Sequence, residues 1–358
     1  MAAYKPNKIE SALLYQDFAT VAPQGLLRHL NASLADTGLS FEPVESSPDD
    51  SYSIFTGDGL HVMLSQTRSP LPLDGFASAL ASPYTHVVFP NAEEIVALHA
   101  CRMYVTVGSG LPMPDLPNIR ELMEMPEADQ SQAEFESKLT VCRLLTDALI
   151  NHNRPMAVHW CQSNQILKPD QFARLAKAPF PVPLFVHPSL FSSQAVVNGT
   201  RVVGLRTYGA AHLIGREIVF HEAPVPFAWM YERACNFIEM ARASGTIIPH
   251  GDSFGASPAE VIRVRHGAPS ERDPDGVIEL TLERCDEHGF IVDQPVEIEP
   301  AQTQDAGEVV LNLNDPVDRA IAERRRELDL SPARPPSSPA AVAPSSDRGF
   351  GKRQDTRH

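Results

Sequence analysis

Two alternating apolar segments, Tyr52–Thr56 and Leu60–Gln66, are separated by nothing more than Gly57-Asp58-Gly59. Gly and Asp tolerate the positive φ that a tight hairpin turn needs, so this triplet commits two neighbouring strands to antiparallel pairing. Helix-period segments lie on either side of it. Pro23–Ala35 places Leu26, Leu27, Leu30 and Leu34 on one side, and Ser131–Asn151 aligns Phe135, Leu139, Cys142 and Leu149. Phe227–Ala243 repeats Phe227, Tyr231, Ala234, Ile238 and Ala241 at helical spacing and is closed by Gly245. Hairpins interspersed with helices exclude a doubly wound parallel sheet. The expected class is α+β: mixed, mostly antiparallel sheet(s) with helices packed on one face, arranged as two ferredoxin-like lobes.

The strand-like and helix-like segments run in two cycles. The first contains Ser11–Tyr15, the hairpin, a helix at Glu93–Ala100, a strand at Met103–Val107 and the β-rich Met156–Cys161. The second contains a helix at Asp170–Ala178 and strands at Pro183–His187, Val202–Thr207, Glu217–Phe220, Ile247–Pro249, Val261–Arg265 and Val277–Glu283. The expected domains are an N-terminal lobe, 1–154, and a C-terminal lobe, 155–300. An extension, 301–330, follows with a short charged helix capped by Asp315-Pro316, and then a tail, 331–358. Five prolines and a single aromatic residue mark that tail as a disordered Pro/Ser-rich segment, unable to bury enough apolar area to offset its ordering entropy. Its five Lys/Arg against two Asp give it +3, so the other residues carry −18 against a total of −15.

That acidic balance argues against nucleic acid or an anionic membrane as partner, because phosphate contacts need concentrated Lys and Arg. The five cysteines form no CxxC pair, and no leader-like segment or long apolar run is visible. The expected location is therefore the cytoplasm, with reduced thiols.

Three stretches bear on chemistry. His250-Gly251-Asp252-Ser253-Phe254-Gly255 fits the G-x-S-x-G pattern of a serine-hydrolase nucleophile elbow, with Ser253 as nucleophile and His250 and Asp252 beside it. In that order the acid and histidine follow the serine on later strands, and little chain remains here for them. Gly-Asp-Ser also opens the first block of the GDSL-like esterases, but there it stands near the N-terminus, and the closing Asp-x-x-His is absent after Ser253. The preferred reading is a tight turn in which Gly251 and Gly255 supply unusual φ while Asp252 and Ser253 bond the local backbone. Alternation on a strand places His159 and Cys161 on one face, where with His250 they could share a metal. No close-spaced ligand motif supports this, and a strand His or Cys is more often a core residue. No P-loop or dinucleotide fingerprint occurs, so no cofactor is expected. Glu121, Glu124, Glu127 and Asp129 cluster in a Met/Pro-rich loop, 110–129, suited to a solvated face or a binding lid.

The order of four short motifs carries a resemblance. Gly204-Leu205-Arg206-Thr207-Tyr208-Gly209 is followed by Gly215-Arg216-Glu217-Ile218, the Phe227–Ala243 helix, and the His250–Gly255 turn. Together with Ala157–Trp160 and Pro183–Val186 upstream, they resemble the bacterial DUF4261 family, over residues 10–265. The resemblance marks Gly204, Thr207, Gly209, Glu217, Gly251, Asp252 and Gly255 as structural turn residues. The departures are His250, where the family has an acidic residue, and Ser253, where it has Thr. A turn that carries Thr there does not call for a serine nucleophile. The family implies an architecture but no activity, substrate or cofactor. The expected function is a non-enzymatic binding or interaction module whose partner is another protein, in an accessory or immunity-like role in a toxin or secretion system. The alternative is a hydrolase using Ser253 or a metal near His159, Cys161 and His250.

Overall fold

The first strand, β1 (Lys8–Tyr15), has apolar residues on both of its faces and therefore belongs in the middle of a sheet. The computed structural model, which describes residues 6–47, 51–110, 131–193, 195–197 and 200–291, places it there. β1 pairs with β5 (Cys101–Ser109) on one side and β6 (Ala157–Trp160) on the other. The remaining strands are β2 (Glu42–Ser46), β3 (Tyr52–Gly57), β4 (Leu60–Thr67) and β7 (Gln165–Leu167), and the seven-stranded order is β2-β3-β4-β5-β1-β6-β7. Every pairing in this sheet is antiparallel. The β3–β4 hairpin has the anticipated register, Gly57 opposite Leu60, with Asp58 and Gly59 at φ 50° and 76°. Both central residues at positive φ is the type I′ pattern, whose twist matches that of the strands.

The long helices lie on one face. Helix α1 (Pro23–Ser33) buries Leu26, Leu27 and Leu30, and it packs against a longer helix whose start is capped by the Ser131 hydroxyl accepting from Glu134 N. The other face is covered as well: Ala12, Leu14, Ala157 and Ile166 meet Phe76, Ala79, Phe89 and Val96. Those partners come from a 3₁₀ turn and three short helices, α2 (Ala77–Leu80), α3 (Pro83–Val88) and α4 (Ala92–Leu98). The expectation of helices on one face thus describes α1 and the long helix, α5 (Gln132–Asn153). The doubly apolar β1 and β6 require the second layer.

The second sheet contains β8 (His187–Phe191), β11 (Val203–Tyr208), β12 (Glu217–Ala223), β13 (Ser253–Phe254), β14 (Glu260–His266), β15 (Val277–Cys285) and β16 (Phe290–Ile291). A separate two-stranded ribbon joins β9 (Val196–Val197) and β10 (Thr200–Arg201). The sheet order is β13-β14-β15-β12-β11-β8, with β16 added beside β15, and only β12–β15 is parallel. Seven-stranded sheets in these orders do not have the ferredoxin-like arrangement expected of two lobes. The expected boundary at 154/155 also falls inside the first sheet, because β6 and β7 complete it. Both sheets lie in one compact unit, and their apolar faces join in one continuous core.

That core is joined at Trp160. Its ring, fully buried on β6, lies 5.8 Å from Phe172 of α6 (Pro169–Leu175) and 5.6 Å from Phe185 of α7 (Val182–Phe185), the helices that lead to the second sheet. Residues 183–187 are therefore not the expected strand. Pro181 and Pro183 remove ladder donors, and β8 begins only at His187. Ile247–Pro249 is likewise irregular, for Pro249 cannot donate, though Ile247 and Ile248 still pack on the core. Residues 111–129 and the expected extension and tail, 301–330 and 331–358, lie outside the described residues.

A buried polar contact ties the short-helix layer to the second sheet. The Ser82 hydroxyl, just before α3, is 2.9 Å from His187 Nε2 on β8, under the ring of Tyr84. Burial lowers the His187 pKa from 6.5 to about 4, and among the described residues no carboxylate faces it to reverse the effect. The fold thus favours the neutral ring. Its contribution is complete above the unfolded value of 6.5 and is lost as pH falls towards about 4.

Two outcomes are expected. Phe172→Ala should cost about 3–5 kcal/mol in urea denaturation while leaving one transition, because the core is shared; two transitions would show that the sheets unfold separately. Between pH 7 and pH 4.5, stability should fall more steeply in the wild type than in His187→Gln, by on the order of 2 kcal/mol; parallel curves would exclude His187 as the cause.

Candidate functional site: an arginine-lined cleft beside a buried carboxylate

The motif residues of β11 and β12 converge on one carboxylate. Glu217, at the start of β12, accepts hydrogen bonds from the Thr207 hydroxyl at 2.7 Å, Gly209 N at 2.8 Å and Ala210 N at 3.2 Å. Thr207 in turn accepts from Ile218 N at 2.8 Å, so its hydroxyl is satisfied in both directions. The carboxylate thereby caps the start of α8 (Ala210–Ile214), receiving the Gly209 and Ala210 amides that precede the bond from His212 N to Gly209 O. Gly209 enters that turn at φ 102°, with the Phe185 carbonyl oxygen 2.5 Å from where a Cβ would stand, so no other residue fits. Gly204 is required for space, since a Cβ there would run into the Phe191 ring. Burial pushes the Glu217 carboxyl above its usual range, against hydrogen bonds from Thr207 and Gly209 and the charge of Arg206.

This locked turn forms one wall of a cleft of about 290 Å³. Arg206 and Tyr208 on β11, Arg216 in the β12 approach, and the loop Arg272–Gly276 complete it. Arg206 pairs with Asp273, whose backbone N–H is held by the Ser270 hydroxyl. Arg272 donates to the Tyr208 hydroxyl at 2.5 Å, and both Arg206 and Arg272 lie 6.0 Å from the Tyr208 ring centre. Among the described residues, neither Arg216 nor Arg272 is paired with a carboxylate. Asp273 and Glu217 are already engaged, and Asp275, which also lines the cleft, is paired with neither arginine among the described residues, so two guanidinium groups remain available there. An always-charged planar fork of this kind suits bidentate recognition of a carboxylate or phosphate.

The other candidates lie elsewhere. His250, Asp252 and Ser253 are exposed and do not line the cleft. The turn they share is held to β14 by Gly251 N to Val264 O, Val264 N to Asp252 O, and Arg263 to Gly251 O at 2.6 Å. Gly251 takes φ 90° as expected, whereas Gly255 does not; its lack of a Cβ allows close approach of the Glu260 carbonyl. Ser253 enters the two-residue β13, not a helix, so the elbow geometry is absent. His250 Nδ1 accepts from His266 N at 3.0 Å, and no histidine bonds Ser253 among the described residues.

His159 and Cys161 are brought together, with Sγ 3.8 Å from Nδ1, but His250 does not join them. No group of three His, Cys, Asp or Glu able to hold a metal is found among the described residues. What stands beside the pair instead is Asn164, whose Oδ1 is 2.9 Å from His159 Nε2. Arg216, Arg272 and Tyr208 were not legible as site residues, because the loop carrying Arg272 is joined to β11 only by the sheet order. Arg206, Tyr208 and Arg216 did lie within the quoted motifs, but there they marked a family pattern and not a binding surface.

Comparisons with protein-family models, with curated proteins and with solved structures find no match to this chain.

Removing the Thr207 hydroxyl at nearly constant volume should expose the cost of the lock. Thr207→Val leaves Ile218 N unsatisfied and removes the stronger of the two donors to one Glu217 oxygen, which keeps only Ala210 N, so a loss of about 1–3 kcal/mol is expected in urea titration. Thr207→Ser should retain most of it; equal losses in both variants would deny the hydroxyl this role.

Proposed function

We propose that the protein is a binding module, of the bacterial DUF4261 type and cytoplasmic, that takes an acidic segment of a partner protein into the cleft between β11 and the Arg272–Gly276 loop. The observation that carries this reading is the pair of guanidinium groups, Arg216 and Arg272, without carboxylate partners among the described residues in a chain of net charge −15. In such a chain, guanidinium groups meet no shortage of surface carboxylates, and leaving two unpaired in a concave site favours an external anion. Tyr208, 39% exposed between Arg206 and Arg272, adds a rigid amphipathic surface of the kind enriched where proteins bind one another. Glu217 acts from behind the cleft: it holds the β11–α8 turn in place and with it the backbone that carries Arg206 and Tyr208. No reaction is assigned to this cleft. Among the described residues no helix is long and apolar enough to cross a membrane, which agrees with the cytoplasmic reading.

The test is titration of the full chain with a fluorescein-labelled hexaglutamate peptide, read by anisotropy, with inorganic phosphate as competitor. Saturable binding that weakens with salt is expected, and Arg216→Ala with Arg272→Ala should lower affinity about tenfold or more, the scale of losing charge-assisted bonds. Phosphate competition with no peptide preference would redirect the reading to a small anion. Unchanged binding in the double variant, or no binding of either probe, would reject the cleft as an anion site.

A further inference from the structure

The hairpin β6–β7 on the first sheet carries a second constellation, independent of the arginine cleft. Its connecting turn, residues 161–164, is closed by Asn164 N donating to Cys161 O at 3.2 Å, with Asn164 at φ 49°, a region that Asn enters more readily than most residues. This turn folds three side chains onto each other within six residues of sequence. Asn164 Nδ2 donates to the Ser78 hydroxyl of α2 at 2.6 Å, which fixes the amide so that its Oδ1 faces His159 at 2.9 Å. Oδ1 can only accept, so His159 Nε2 carries the proton and Nδ1 presents a lone pair. Cys161 Sγ lies 3.8 Å from that Nδ1. The ring of Phe76 stands edge-on to the imidazole at 5.2 Å and covers its other side.

Of the five cysteines, Cys101, Cys142, Cys235 and Cys285 are buried, and Cys161 alone is partly open to solvent. We infer that Cys161, His159 and Asn164 form a nucleophile, a general base and a positioning residue for transfer of an acyl group from an ester or thioester. The arrangement follows the general logic of an activated nucleophile: a base within reach, oriented by a third group. In the first step the Cys161 sulfur bonds to the acyl carbon while its proton passes to His159 Nδ1. The carbon–oxygen or carbon–sulfur bond to the leaving group breaks, and that group departs with the proton. Water then attacks the Cys161 thioester, His159 accepting one of its protons and returning it to the thiol. The products are a carboxylic acid and the free alcohol or thiol.

Burial pushes the Cys161 thiol up to about 12, with Glu10 adding to the effect, and lowers His159 below its usual value. The resting pair is therefore thiol and neutral imidazole, and the proton moves only as the acyl carbon is attacked. This gives the mechanism a pH signature. A base-assisted thiol reaches a plateau once His159 is neutral, well below pH 9. An unassisted thiol of such high pKa rises log-linearly through pH 9.

The experiment incubates the full chain with p-nitrophenyl acetate, measuring nitrophenolate release after subtraction of the uncatalysed rate and locating the acetyl group by peptide mass mapping. Expected are acetyl-Cys161, a plateau below pH 9, and no adduct at that position in Cys161→Ala. His159→Gln should slow acylation about 10²–10⁴-fold, the range for loss of a general base. Asn164→Ala should slow it about tenfold and displace the pH midpoint, a displacement that the fall in melting midpoint expected of alanine at φ 49° does not by itself produce. Absence of acetyl from Cys161, or a log-linear rise through pH 9 in the wild type, would overturn the inference, and neither readout depends on a variant that folds. An equal rate in a folded His159→Gln would overturn it too. None of these results bears on peptide binding in the arginine cleft.

Discussion

The structure depends on a strand that is buried on both faces. Ile9, Leu13 and Tyr15 of β1 enter the large core shared with the second sheet, while Ala12 and Leu14 face the short helices. Each face imposes its own partner. On one, the Ser11 hydroxyl meets Thr146 of α5 at 2.5 Å, a buried polar pair that holds the long helix in register. On the other, small Ala12 lies opposite His159, leaving room for the imidazole under Phe76. Since side chains alternate along a strand, a slip of one residue in β1–β6 would exchange Trp160 and His159 between the two cores. Burial of Trp160 against Phe172 and Phe185 therefore also sets the position of His159 and, through it, of Cys161 and Asn164.

Electrostatics is organised locally and not by total charge. The acidic chain sets Glu217 where three donors receive it, buries Glu260 against Arg233, and leaves two arginines on a concave surface. Of the buried cations, Lys138 is satisfied by Asn7 O at 2.8 Å and the Ser109 hydroxyl at 2.6 Å, and Arg143 donates to Ala176 O. Buried groups of this kind cost desolvation free energy and persist where hydrogen bonds compensate it. Among the described residues His187 Nδ1 lacks a partner, as do Trp160 Nε1 and Trp229 Nε1, and burial keeps the His187 ring neutral.

Much of the local structure was legible from side-chain period and turn chemistry. The Gly57-Asp58-Gly59 hairpin, α1, α5, the Phe227–Ser244 helix and its Gly245 cap all follow from apolar spacing and residues that accept positive φ. Two strands were misplaced, at 183–187 and 247–249, and in each a proline removed a donor that the apolar pattern does not record. The lobe boundary at 154/155 failed because an antiparallel strand can return to a sheet after a long helix, and period alone does not say which neighbour it finds. The motif residues Thr207, Gly209 and Glu217 were picked out by their order. Their common role as a carboxylate lock required the ten-residue separation of Thr207 and Glu217 to be closed by β11–β12 pairing.

The amino-acid sequence by itself determined most of the elements, the mostly antiparallel α+β class and the nearness of His159 to Cys161, because these depend on interactions between residues close in the chain. Only the tertiary structure decided what those residues do together. It moved the G-x-S-x-G turn to an exposed sheet edge with no helix behind Ser253, and it separated His250 from His159 and Cys161. It brought Arg272 to Tyr208 across 64 residues and turned the Asn164 amide towards His159 through a hydroxyl on α2. Those contacts depend on which strands become neighbours and which layer covers them. That choice is made by burying apolar area on both faces of β1, a property of the whole core that no single segment contains.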